Sequence, residues 1–462
     1  MFNSPFTRRA FLQSAGLAAA GTAMSVGLPG LANAAAKGTL ITPQRKALVF
    51  IMLDGGNDSY NMLVPNTGVF YKQYAKTRGN LAHKRRNLLA LDGPEDDDGR
   101  SFGLHSAMPE VQQLYNDKKL AFVANVGPLV ERIQKAQFYD GSAQLPLGFL
   151  SHADQFKHWQ TSRPDLRQND GWFGHFADEL QPSLSAHDIP MNISLAGHNI
   201  QQNGHQNLPY SITADGSVGL YVKEKRSDLN DVLLNSFTKL MNEDHRDDPF
   251  METYLDLTRQ AQAKHEVFQE ATRGISVPER FSTTDLSQQL RMVARTIKAS
   301  EALGLQQQTF FIRYIGWDHH DELLNNQGQM LGILSRALGE FQTALGDMGL
   351  DEKVVTFTGS DFGRTLTSNG NGTDHGWGGN TIVMGAPVKG GRVYGEYPSL
   401  GLGNDNLQDI GDGVLIPTTS TDQLYADLSL WFGVQSDALD GLLPNLKRFT
   451  DLSSGARLGL FS

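Results

Sequence analysis

The sequence predicts an α/β fold, a three-layer sandwich around a mostly parallel central sheet, and three observations carry that reading. Short, almost wholly apolar runs recur along the chain, as expected of strands buried on both faces. Helical patterns fall between several of them. Three of the runs are followed within three residues by an aspartate, namely Asp54, Asp318 and Asp361. The carboxyl edge of such a sheet is where ligands bind.

The amino terminus is taken first. Thr7-Arg8-Arg9-Ala10-Phe11-Leu12 forms a twin-arginine motif, followed by a weakly apolar Ala/Gly stretch over residues 15–31 and a small-residue cleavage site at Ala32-Asn33-Ala34. Residues 1–36 are therefore expected to be an export signal, handled by the twin-arginine translocase and removed, leaving a single domain over 37–462. Glycine, alanine and Pro29 argue against a lasting membrane helix there, and no later segment reads as a span. The mature protein is expected in the periplasm or outside the cell.

The strands are expected at 47–53 (ALVFIML), 120–126 (LAFVANV), 309–315 (TFFIRYI), 353–358 (KVVTFT) and 380–385 (NTIVMG), all as buried parallel strands. Helices are expected over 107–118 and 324–346. Residues 226–305 differ, with helical composition over 229–271 and again over 287–303, and read as a helical insertion. Residues 196–220, rich in Gly, Gln and Asn, read as a long loop, and Glu95-Asp96-Asp97-Asp98 as a solvated acidic turn or a calcium site.

Composition narrows the chemistry. The chain carries 40 basic and 50 acidic residues, for a formal charge of -10, and no basic stripe, so nucleic acid is not an expected partner. There is no cysteine, which excludes disulfides, thiolate ligands and a cysteine-derived nucleophile. Any metal is held by oxygen and imidazole.

Three carboxylates gathered at one sheet edge repel one another, and a divalent cation relieves that repulsion. His320 and His375 lie close in sequence to Asp318 and Asp361, so Asp54, Asp318, His320, Asp361 and His375 are the candidate metal ligands. Mixed carboxylate and imidazole donors suit zinc or manganese. Alternation along an extended segment puts Asp318 and His320 on one side and His319 on the other. His375 sits in Gly372-Thr373-Asp374-His375-Gly376-Trp377-Gly378-Gly379, where the glycines allow close backbone approach, or else it packs on Trp377. Arg364 is read either as a grip on an anionic oxygen or as a salt bridge to Asp361. Ser151 is either a helix N-cap or a nucleophile, with His152 and Asp154 beside it as ligands or as groups that orient them. His105 is a further candidate.

These segments resemble the DUF1501 family of secreted bacterial proteins, within the alkaline-phosphatase-like superfamily that includes the sulfatases. The resemblance runs through residues 50–58, 125–129, 151–155, 316–320, 360–365, 372–379, 423–428 and 431–433. It implies an alkaline-phosphatase-like sheet with metals at its carboxyl edge, and an exported metal-dependent hydrolase acting on a phosphate or sulfate ester, whether small or borne on a polymer. By resemblance, Asp54 matches the first-strand metal aspartate, Asp318 and His320 an acid–histidine pair, Asp361 the acid of a second pair and His375 the late histidine. The sequence departs from the pattern where Phe362 follows Asp361 in place of histidine, and where one residue separates Asp318 from His320 in place of three. One metal site is therefore expected, with the second incomplete. The other reading is a non-catalytic relative that binds a metal or a polymer.

Overall fold

The structure, a computed structural model, describes residues 45–181, 184, 188–219, 228–243, 247–278, 280–450 and 457–461. The expected export signal over 1–36 lies outside the described residues. The described residues all belong to one compact unit.

The strands are β1 Lys46–Asp54, β2 Leu63–Pro65, β3 Leu89–Ala90, β4 Phe102–Leu104, β5 Leu120–Gly127, β6 Asn192–Ser194, β7 Tyr210–Ser211, β8 Gln307–Ile315, β9 Val354–Ser360, β10 Gly379–Met384, β11 Val393–Tyr394 and β12 Thr419–Ser420. Among the described residues, nine of them form one sheet in the order β11-β5-β10-β9-β1-β8-β6-β7, with β12 also on β5. β9, β1 and β8 are parallel neighbours at its centre. The longer helices are α1 Pro109–Asn116, α2 His152–Thr161, α3 Trp172–Leu180, α4 Asp228–Asn242, α5 Pro249–Thr272, α6 Asp285–Lys298, α7 Leu323–Asp347 and α8 Thr421–Phe432.

Burial explains why the apolar runs are strands. Every residue of 47–53 is buried, so both faces of β1 are covered. Phe50 and Phe357 are register partners and their rings stack at 4.6 Å. On that face Trp172 of α3 stacks on Tyr425 of α8 and also meets Phe357. Gln308 points to the other face and donates to the Thr296 carbonyl of α6. The sheet thus lies between two helical layers, as expected.

Three expectations are corrected. β10 is antiparallel to both β5 and β9. The 361–378 connection from β9 contains no crossover helix, and without one a chain returning beside its predecessor runs antiparallel. The helical stretch over 229–271 is two helices, because Asp248 accepts from the amides of Phe250 and Met251 and starts α5 afresh with Pro249 in its first turn. The 196–220 loop contributes the short edge strand β7. In the acidic turn, Asp96 and Asp98 are paired with Arg100. Among the described residues no helix is long and apolar enough to cross a membrane.

Candidate metal centre

The order β9-β1-β8 brings Asp361, Asp54 and Asp318 to one edge of the sheet. Gly55 and Gly56 follow β1 with φ of +125° and +92°, in the region that favours glycine. A Cβ on Gly55 would stand 2.6 Å from the Asp318 nitrogen, so that glycine lets the segment after β8 fold against the end of β1. The Asp54 carbonyl accepts from the Gly316 and Trp317 amides at 3.1 Å each. Because β10 returns antiparallel, the 361–378 segment stays at the same edge and carries His375 there. Gly363 and Gly378 touch backbone to backbone: a Cβ on Gly363 would lie 2.0 Å from the Gly378 oxygen.

His152, Asp318 and His375 present donor atoms that all lie within 4.8 Å of one another. His152 Nε2 is 3.4 Å from Asp318 Oδ2, and His375 Nε2 is 3.6 Å from Asp318 Oδ1. His320 joins them, its Nε2 standing 3.0 Å from Asp318 Oδ1 and 3.2 Å from His375 Nε2.

The opposite side of each ring decides what these nitrogens offer. His152 Nδ1 pairs with Asp361 Oδ2 at 2.7 Å, His320 Nδ1 with Asp374 Oδ1 at 3.0 Å, and His375 Nδ1 with the Leu150 carbonyl at 3.0 Å. A carbonyl only accepts, and so does an ionised carboxylate, so each Nδ1 carries a proton, and a ring that holds no second proton turns a lone pair inward from Nε2. Two such lone pairs 3.2 Å apart, facing a carboxylate, repel unless a proton or a cation lies between them. His152 Nε2 is moreover buried with no hydrogen-bond partner among the described residues. The two imidazole nitrogens and one carboxylate of His152, His375 and Asp318, with His320 beside them, fit a zinc- or manganese-type ion.

Electrostatics agrees with the geometry. Burial pushes the Asp318 carboxyl up, but the hydrogen bond and charge of Arg364 outweigh it and hold the group below its ordinary value. Burial dominates at Asp361 and raises it, against the His152 hydrogen bond. That same hydrogen bond raises the proton affinity of His152, while burial lowers that of His375.

The expected residues divide accordingly. Asp318, His320 and His375 come together. Asp361 stands behind His152 as the acceptor that orients it, with its other oxygen taking the Gly55 amide at 3.2 Å. Asp54 is bound by Arg313, whose Nε lies 2.9 Å from Oδ2, and stands outside the group formed by His152, Asp318 and His375. Arg364 is fully buried and donates to Asp318 at 2.6 Å and to the Thr373 carbonyl, so it neither faces an incoming anion nor pairs with Asp361. Ser151 occupies the N-cap position of α2. Asp154 is held below its ordinary value chiefly by the Arg167 hydrogen bond, with a smaller effect from the neighbouring Ser151 hydroxyl. His319 is buried on the far side, as alternation predicts, and burial lowers its pKa to about 4. His105 packs edge-on against His83, away from these groups. Trp377 packs on Phe149, and His375 lies on Phe362 instead, at 4.5 Å. Phe362 also lies 4.7 Å from His152, so the phenyl ring walls the cluster between two imidazoles.

His152 is the residue sequence reasoning underrated. Its place directly after a helix cap was visible, but its partnership with Asp361, 209 residues away, was not. Asp374 had no sequence signal beyond adjacency to His375.

A family model described as "Protein of unknown function (DUF1501)" matches residues 45–443. No curated protein matches the sequence. Among solved structures, one titled "Crystal structure of Ps i-CgsB" has 11% identity and a TM-score of 0.36, over 88% of this chain and 78% of that one. The lipoteichoic acid synthase LtaP from Listeria monocytogenes has 8% identity and a TM-score of 0.32, over 83% and 78%. A mutant of the alkaline phosphatase PafA has 12% identity and a TM-score of 0.24, over 70% and 64%. Similarity at that level leaves the chemistry to be argued from the side chains.

Proposed function

The chain belongs to the DUF1501 family, and from that premise we propose that it is an exported metal-dependent hydrolase of a phosphate or sulfate ester. The observation that carries the metal is the convergence of three Nε2 lone pairs on Asp318, each ring held by an acceptor at Nδ1. His152, Asp318, His320 and His375 would hold the ion. A divalent ion of the zinc or manganese kind supplies a Lewis acid for an ester oxygen and makes water acidic enough to attack near neutral pH.

The chain's own groups do the rest. Asp361, Asp374 and the Leu150 carbonyl fix the rings. Arg364 keeps Asp318 ionised and pointed inward, acting as a positioning residue. Phe362 excludes water from one side of the cluster. Ser151 stands at the N-cap of α2, and water is the nucleophile in this reading. The ester class follows from the resemblance set out from the sequence. The twin-arginine motif supports export.

A second reading has a specific observation in its favour. Arg364 is buried and committed to Asp318 and the Thr373 carbonyl, so it offers no free cationic grip to an anion. A non-catalytic metal-binding relative would look the same.

The test begins with protein purified after export, analysed for metal, and then assayed on aryl phosphate and aryl sulfate esters with and without chelator. The hydrolase reading expects about one equivalent of transition metal, and turnover lost on chelation and in His375→Ala. Metal without turnover establishes the second reading. Absence of metal, with none taken up from added zinc or manganese, sinks both.

A further inference from the structure

A second group of donors lies on other elements and shares no residue with the first. Asp170 stands just before α3, His175 is on its first turns, and His205 lies in the loop that precedes β7. Their donor atoms all lie within 4.8 Å of one another. Asp170 Oδ2 is 3.0 Å from His175 Nε2 and 3.9 Å from His205 Nε2. The two rings stand nearly perpendicular, with centroids 5.5 Å apart. A lone histidine–aspartate pair needs one imidazole, whereas here two aim Nε2 at the same oxygen.

The scaffold under these groups is firm. Asp178, one turn after His175, accepts from three successive amides, those of His205, Gln206 and Asn207, at 2.5–3.1 Å. The Gly171 and Gly174 amides donate to the carbonyls of Asn203 and Gln201, each at 3.0 Å. A Cβ on Gly174 would stand 1.7 Å from the Asn203 oxygen, so glycine there is what lets helix and loop touch. The loop that carries His205 is thus fastened to the helix that carries His175 without any ion's help.

We propose that Asp170, His175 and His205 form a second metal site, selective for a zinc-like transition ion. Bonds of about 2.0–2.1 Å to a tetrahedral ion put neighbouring donor atoms roughly 3.4 Å apart. The observed 3.0 and 3.9 Å bracket that spacing. Two imidazoles and one carboxylate are the donors of zinc, cobalt, nickel and copper, not of magnesium or calcium. The His205 side chain is 71% exposed, so the site opens to solvent and its fourth position is left to water or to a donor from outside.

The test is titration of the full chain with cobalt and zinc, followed by absorption and calorimetry. His205→Ala removes one exposed ligand and leaves the fold intact, so it is compared with the wild type and with the His320→Ala/His375→Ala double variant. The proposal expects His205→Ala to bind one equivalent fewer than the wild type, and the double variant to keep one equivalent that a further His205→Ala abolishes. If the first cluster takes no metal, the wild type binds one equivalent and His205→Ala none, which supports this site and refutes the other. Equal stoichiometry and affinity in the wild type and His205→Ala overturns the proposal.

Discussion

Asp361→Asn separates two roles for one carboxylate. As a ligand, Asp361 would contribute to metal affinity independently of His152. As the orienting group seen here, it acts only through that ring. Asp361 is 1% exposed, with Oδ1 on the Gly55 amide and Oδ2 on His152 Nδ1. Asparagine has nearly the same shape but only one acceptor. With its oxygen kept on the Gly55 amide, its NH2 group faces the Nδ1 proton of His152. The ring escapes that donor–donor clash by moving its proton to Nε2, and Nε2 then has no lone pair to give. Disturbing a group that orients a metal-bound histidine costs about 10–100-fold in affinity, or about 1.4–2.7 kcal/mol. The assay is a zinc competition titration against a chromophoric chelator for Asp361→Asn, His152→Ala and the double variant. The double variant should bind no more weakly than His152→Ala alone, because both changes remove the same donor. Additive losses would refute the orienting role and restore Asp361 to the ligand set.

Arg78 is fully buried, paired with buried Asp58 and hydrogen-bonded to the Thr365 and Leu366 carbonyls. Arg78→Ala strands a buried charge and should cost about 3–5 kcal/mol in urea unfolding; a change below about 1 kcal/mol would contradict that account. Burial raises Asp422 from 3.8 to about 7. Between those values the folded chain keeps a proton that the unfolded chain releases, so stability falls as pH rises from about 4 to 7, by up to about 4 kcal/mol. Asp422→Asn should flatten that fall, which unfolding midpoints at pH 5 and 8 would reveal, and an unchanged fall would locate it elsewhere. Ser151→Ala should leave ester hydrolysis within about tenfold of the wild type, whereas a loss beyond about ten-thousand-fold would make Ser151 the nucleophile.

The central strands were legible because burial on both faces leaves an unbroken apolar run over 47–53, and because 309–315 and 353–358 are rich in β-branched and aromatic residues. Asp318 and His320 were legible as a pair because extended backbone alternates sides, which also sent His319 inward. The partner choices were not legible. Register sets Met52 opposite Arg313, which puts Arg313 within reach of Asp54, two residues further along β1. Nothing in either segment alone announces that pairing. Arg364 was expected to face an anion or Asp361, and it turned to Asp318 because the 363–376 segment doubles back, with Arg364 bridged to His375. The antiparallel course of β10 did have a signal, since no helical pattern separates it from β9.

The three rings of the cluster are held from different places: Asp361 follows β9, Asp374 lies in the β9–β10 connection, and Leu150 precedes α2. An ion bound by all three rings and Asp318 therefore ties together segments that the unfolded chain cannot gather, and ion binding becomes folding stability. At a free concentration of 100 times Kd the gain is about 2.7 kcal/mol. Zinc or manganese at that level should raise the unfolding temperature by a few degrees. His375→Ala should lose most of that rise. His205→Ala, whose residue belongs to the other group of donors, should keep the part due to this cluster. A rise undiminished in His375→Ala would mean that the ion acts elsewhere, and that the inward lone pairs are reconciled by protons instead.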